Sequence, residues 1–140
     1  MLSSVGIFIV CSAGPGSTLE FSTEAMATLH TVIHELKHHL GVTRIRMLDV
    51  PCGDMNWMKE VRLDGVQYIG GDIVEKLIHV NRERFAARPE LEFRVLDLLK
   101  DPLPSCDLVL VRDCMVHLPL TDIATVLERI KASGSRYPLA

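Results

Sequence analysis

The chain has 140 residues, 48% of them hydrophobic and 24% charged, with a formal net charge of −3. That length suits one domain spanning residues 1–140, and the composition is that of a folded soluble protein, which excludes a disordered chain. The arginines Arg44, Arg46, Arg62, Arg82, Arg84 and Arg88 are interleaved with acids and build no basic stripe, so charge gives no support to a nucleic-acid partner.

Residues 1–13 define no clear element. The apolar run Val5 to Cys11 is too short to span a bilayer and no Lys or Arg precedes it. It reads as a strand or a frayed apolar start rather than a secretory signal, and no membrane partner is expected. Gly14-Pro15-Gly16-Ser17 marks a loop, with Ser17 or Thr18 able to cap the next element. Ala25, Leu29, Val32, Ile33, Leu36 and Leu40 recur at helical spacing, and Gly41 ends that helix. Ile45 to Val50 predicts a strand closed by Pro51, followed by a short helix over Asn56 to Val61. Val66 to Gly70 predicts a second strand, with Gly70-Gly71 as its turn.

Val74 to Ala87 has helical periodicity through Val74, Leu77, Ile78, Asn81 and Phe85, and it stops before Pro89. Leu91 to Leu96 predicts a third strand. Asp107 to Val111 is a nearly continuous apolar run, the pattern of a strand buried on both faces. A helix over Asp122 to Lys131 follows, stopped by Gly134, and the tail Ser135 to Ala140 begins one more strand. Cys11, Cys52, Cys106 and Cys114 form no CxxC pair and read as reduced thiols of a cytoplasmic protein.

Strands alternating with helices predict an α/β three-layer sandwich around a mostly parallel sheet, with right-handed crossovers. In such sheets ligands sit beyond the carboxyl ends of the strands. Each of those ends carries a polar residue. The first runs into Asp49-Val50-Pro51-Cys52-Gly53-Asp54, a tight turn at which backbone approaches a ligand closely. Asp72 ends the second strand, where a carboxylate can accept from both hydroxyls of a ribose. Asp97 ends the third, and Arg112 and Asp113 the fourth. A dinucleotide site would need three glycines at the first turn for the pyrophosphate, whereas only Gly53 is present and Asp54 adds negative charge. A sulfonium nucleoside without phosphates tolerates that acid.

LDVPCGDMNWM, YIGGDI, LDLL and LVLVRDCMVHLP, in that order, resemble class I S-adenosylmethionine-dependent methyltransferases, and nearest among them a group whose first motif is Asp-x-Pro-Cys-Gly-Asp. The resemblance runs from about residue 14 to 137, with residues 44–137 as the cofactor-binding core. It implies a Rossmann-like sheet of about five strands in the order 3-2-1-4-5, lacking the family's last two strands, and S-adenosylmethionine as cofactor. Asp49 and Gly53 would line the methionine part, Asp72 would hold the ribose and Asp97 the adenine, with Pro51, Trp57, Ile73, Leu98 and Arg112 also among the cofactor-binding residues. Arg112 to His117 would face the methyl group and a small-molecule acceptor, with His117 and Asp113 as the catalytic candidates. His117 suits a general base on a hydroxyl or amine; the alternative is a histidine that only orients its loop. Asp49 and Asp97 have a plain alternative as turn-forming residues, whereas at Asp72 the turn is already supplied by Gly71. Cys52 and Cys114 read as small buried fillers.

His34-Glu35-Leu36-Lys37-His38 also matches the HExxH zinc-peptidase pattern. At about 100° per residue, His34 and His38 fall opposite the apolar stripe, on the wet side, so no metal site is expected. The chain ends within its last predicted strand, where Pro138 has no N–H to give. That short edge predicts a tendency to self-associate, and it leaves a non-catalytic cofactor-binding or partner-binding form as the alternative to an active methyltransferase.

Overall fold

A computed structural model describes residues 19–139. The Val5 to Cys11 run, the Gly14 to Ser17 loop and the capping candidate Thr18 lie outside those residues. Helix α1 spans Leu19–Leu40 and buries Leu29, Ile33 and Leu36. Gly41 ends it at φ +64°, with Val42 N–H bonded to the Lys37 carbonyl at 3.0 Å and Gly41 N–H to that of His38 at 3.2 Å. This paired closure satisfies the last carbonyls of the helix and needs a residue that tolerates the left-handed conformation.

Strands β1 (Ile45–Asp49), β2 (Val66–Asp72), β3 (Leu91–Val95), β4 (Leu108–Leu110) and β5 (Tyr137–Leu139) form one sheet in the order β3-β2-β1-β4-β5. Every neighbouring pair is parallel. Helix α2 (Glu75–Arg84) and helix α3 (Leu120–Ala132) complete the set, with 3₁₀ turns at Met58–Glu60 and Met115–His117. Alternation along the strands sends Met47, Tyr68, Phe93 and Leu108 into one core with α1 and Ile78 of α2. Leu48, Ile69 and Val109 enter a second core with Val126 and Ile130 of α3. The expected three-layer architecture and strand order are therefore present. Each fully buried Leu, Ile or Met contributes about 1.5–3 kcal/mol relative to exposure.

The sheet departs from the sequence expectation at Gly70-Gly71. These residues form no turn; β2 runs straight through them to Asp72. A Cβ on Gly70 would stand 2.8 Å from Phe93 Cδ1 and 3.0 Å from Tyr68 Cε1, and one on Gly71 3.3 Å from Leu96 Cβ. The glycines are there for close packing, so Gly71 does not supply a turn before Asp72. The second expected helix ends at Arg84 rather than Ala87, because Phe85 leaves the helical conformation and stacks on Phe93 with ring centroids 5.8 Å apart. The short helix expected over Asn56 to Val61 contracts to the 3₁₀ turn at Met58–Glu60. The third begins at Leu120, where the Pro119 carbonyl accepts from Asp122 and Ile123. At the outer edge of β3, Arg82 Nε donates to the Phe93 carbonyl at 2.9 Å, occupying an acceptor that a further strand would use. Among the described residues no helix is long and apolar enough to cross a membrane.

Candidate functional site

The turn after β1 is held by its own chain. Cys52 N–H donates to the Gly71 carbonyl at 2.8 Å, and Gly53 N–H to Asp72 Oδ2 at 3.0 Å. Pro51 has no N–H and follows a cis peptide bond from Val50. The Gly53 carbonyl accepts from Asn81 Nδ2 of α2 at 2.8 Å. Asp54 accepts from the backbone and side-chain N–H groups of Asn56 at 3.1 and 2.5 Å. Pro51 to Gly53 thus have no N–H to offer a phosphate, which removes the cradle a pyrophosphate requires. Gly53 stands at φ +58° with open space where a Cβ would be, so the glycine is needed for its conformation and leaves the turn accessible.

Asp72 is only 5% exposed. Besides Gly53, its Oδ1 accepts from Val74 N–H at 2.9 Å, joining the β1 turn to the entry of α2. It therefore carries the turn-forming role that the sequence assigned to Gly71. Each carboxylate oxygen has a second lone pair, so this bonding leaves acceptor capacity at the crevice. Ile73 beside it is 63% exposed, an apolar surface on the rim.

Asp49 is 2% exposed and accepts from the Tyr68 hydroxyl at 2.6 Å; the Tyr68 hydroxyl oxygen also lies 3.0 Å from Met55 Sδ. Burial lifts its carboxyl to about 7, against the opposing pull of the Tyr68 bond and the Arg112 charge. Burial likewise pushes the Tyr68 phenol well up. Arg112 lies over the Trp57 ring at 4.5 Å from its centroid. Its Nε is 3.4 Å from Asp113 Oδ2 yet makes no hydrogen bond and is buried. Asp113 sits at φ +53°, in a region that bulky side chains avoid.

Gly53 meets Asp72 and Arg112 lies on Trp57, and with Asp49 these residues stand at the carboxyl ends of β1, β2 and β4, the side on which such a sheet has its ligand crevice. The other candidates make local contacts, are buried in a core, or are exposed. Asp97 makes a local turn, its Oδ1 accepting from Leu99 N–H at 2.9 Å, and faces Lys100 at 3.6 Å. Leu98 is buried in the α3-side core. His117 is exposed in its 3₁₀ turn, and among the described residues no hydrogen bond or ion pair joins it to Asp113. Cys52 is buried and Cys114 half-buried, with burial raising both thiols. His34 and His38 lie on the exposed face of α1, with His34 paired only to its neighbour Glu35 at 3.4 Å.

Two residues of the site were not singled out from the sequence. Tyr68 reads there only as a strand former, and its hydroxyl finds Asp49 across the β1–β2 pairing. Asn81 occupied an apolar-periodic position of the helix, and an amide on an inward face requires a partner. That was the available signal, and the partner is the Gly53 carbonyl.

A family model described as "Methyltransferase domain" matches residues 47–133. No curated protein matches the chain. Among solved structures, human N-acetylserotonin methyltransferase in complex with SAM is 24% identical with a TM-score of 0.55, over 63% of this chain and 26% of that one. WbdD, in a co-crystal with the kinase inhibitor LY294002, is 21% identical with a TM-score of 0.66, over 79% of this chain and 27% of that one. The PH0226 protein from Pyrococcus horikoshii OT3 is 24% identical with a TM-score of 0.61, over 89% of this chain and 61% of that one. These likenesses establish the fold, and the chain spans from about a quarter to about three-fifths of those proteins.

Proposed function

Because the chain belongs to the methyltransferase-domain family, its match covering residues 47–133, we propose that it transfers a methyl group from S-adenosylmethionine to a small acceptor. The observation that carries this reading is the crevice wall: buried carboxylates at Asp49 and Asp72, and a turn whose Cys52 and Gly53 N–H groups are already bonded within the chain. Such a wall suits a cationic nucleoside without phosphates and repels a pyrophosphate. When bound, S-adenosylmethionine supplies an electrophilic methyl group on a sulfonium.

The chain's own residues then bind and orient. Asp72 has lone pairs for the ribose hydroxyls, and Ile73 offers an apolar surface to the base, with Asp97 beyond it on the adenine side. Asp49, its carboxyl raised to about 7 by burial, stands at the methionine end, with Pro51, Gly53 and Trp57 along that wall. Arg112, with an unbonded Nε, is the cation of the wall. Leu98 supports the adenine side from within the core. Asp113 and His117 lie on the acceptor side, His117 as the exposed group able to take a proton from an acceptor hydroxyl or amine. Rate enhancement in this scheme comes mainly from holding methyl and acceptor in line.

The test follows the emission of Trp57, the only tryptophan, as S-adenosylhomocysteine is titrated in, with NAD as control. Saturable binding of S-adenosylhomocysteine alone, weakened in Asp72→Asn with circular dichroism unchanged, is the expected result. A folded chain that binds neither ligand refutes the reading. A second reading, cofactor binding without turnover, draws on His117 and Asp113, which no hydrogen bond or ion pair joins among the described residues. Binding without methyl transfer to any member of an acceptor panel would favour it.

A further inference from the structure

At the pole opposite the crevice, the loops leading into β1, β2 and β3 enclose a cleft of about 330 Å³. Each loop contributes one arginine: Arg44 ahead of β1, Arg62 ahead of β2 and Arg88 ahead of β3. Scattered along the sequence, these residues form no stripe; parallel strand entry brings them to one place. Two acids share the cleft and orient two of the arginines. Asp64 Oδ2 accepts from Arg62 Nε and Nη2 at 3.2 and 2.9 Å, and Glu90 Oε1 accepts from Arg88 Nε at 2.7 Å. A guanidinium has five N–H donors, so both keep donors to spare. Arg44 makes no hydrogen bond or ion pair among the described residues. Lys37 Nζ donates to the Asp64 carbonyl, adding a fourth positive charge beside the cleft.

The backbone of the cleft is firmly built. Gly65 at φ +67° would bring a Cβ to 2.4 Å from the Thr43 carbonyl oxygen, so the β2 loop lies directly against the β1 loop. Val61, Leu63 and Val66 are buried and form the apolar part of the wall. Two guanidiniums paired to carboxylates and a third left unpaired, around a partly apolar wall, match a doubly charged oxyanion carried on a small organic group. The volume is at the lower end of small-ligand sites, and the net charge of −3 disfavours a polyanionic nucleic acid.

We propose that this cleft binds the phosphate of a small phosphomonoester, with Arg44, Arg62 and Arg88 as its donors. The site is independent of methyl transfer and of the crevice across the sheet.

The test is a nitrogen–proton correlation NMR titration of the chain with phenyl phosphate, inorganic phosphate and sodium sulfate at constant ionic strength, with phenol as the uncharged control. Phenyl phosphate lacks a nucleoside, so the cofactor crevice does not compete for it. The expected result is saturable shifts confined to residues 43–44, 61–66 and 88–90, weakened about 10-fold in Arg44→Ala and in Arg62→Ala. Both side chains are exposed, so the variants keep the fold. Tighter binding of phenyl phosphate than of inorganic phosphate supports an organic phosphomonoester, and equal binding of the two overturns that part in favour of free phosphate. Equal response to sulfate, shifts outside the cleft, or affinity unchanged in both variants overturns the site.

Discussion

Replacing Asp49 with asparagine tests the electrostatics of the crevice directly. Folded Asp49 holds its proton up to about pH 7, whereas a solvated aspartate loses it near 3.8. Between those values the folded chain binds a proton that the unfolded chain has released, so stability falls as pH rises. The loss is complete above the folded value and amounts to on the order of 4 kcal/mol, at about 1.4 kcal/mol per pH unit. An asparagine amide is isosteric with the protonated acid, and its oxygen can still accept the Tyr68 hydroxyl that now lies 2.6 Å from Asp49 Oδ2. Urea unfolding followed by Trp57 emission at pH 5 and pH 8 reads the effect. Wild type is expected to lose about 3 kcal/mol more than Asp49→Asn over that range, because the interval from 5 to about 7 is crossed only by the wild-type group. All other titrations cancel in the comparison. Parallel stability curves for the two proteins would refute the assignment of a neutral buried carboxyl.

Other substitutions probe separate features. Gly70→Ala forces a Cβ to 2.8 Å from Phe93 Cδ1 and should cost about 1–3 kcal/mol by overpacking, read as a lowered urea midpoint. Asn81→Ala removes the donor to the Gly53 carbonyl and should cost about 1–3 kcal/mol while weakening S-adenosylhomocysteine binding; an unchanged titration would separate α2 from the crevice. His38→Ala, on the exposed side of α1, should stay within about 0.5 kcal/mol of wild type, and EDTA should leave Tm unchanged. A chelator-dependent loss of stability would revive the HExxH reading.

Much of the fold was legible because its signals are local. The apolar stripe of α1, the Gly41 stop and the alternation of strands with helices each sit within one segment of sequence. Gly70-Gly71 misled because a glycine pair is a turn signal locally, whereas its reason here is the rings of Tyr68 and Phe93, the latter brought over by β2–β3 pairing. The strand-end carboxylates were found by position, but not their engagements. Nothing in the spacing states that Asp72 bonds the β1 turn and the α2 entry, or that Asp49 meets Tyr68. Arg44, Arg62 and Arg88 read as scattered charges for the same reason: loops far apart in the chain meet only after the strands align.

One carboxylate, that of Asp72, accepts from Gly53 N–H with one oxygen and from Val74 N–H with the other. A single side chain therefore acts as a rivet through both lips of the crevice. Neither lip can lift while that rivet stays in place, so a breathing motion that frees one amide tends to free the other. Opening either lip therefore means breaking a bond to the same buried side chain, which ties the motion of one loop to that of the other.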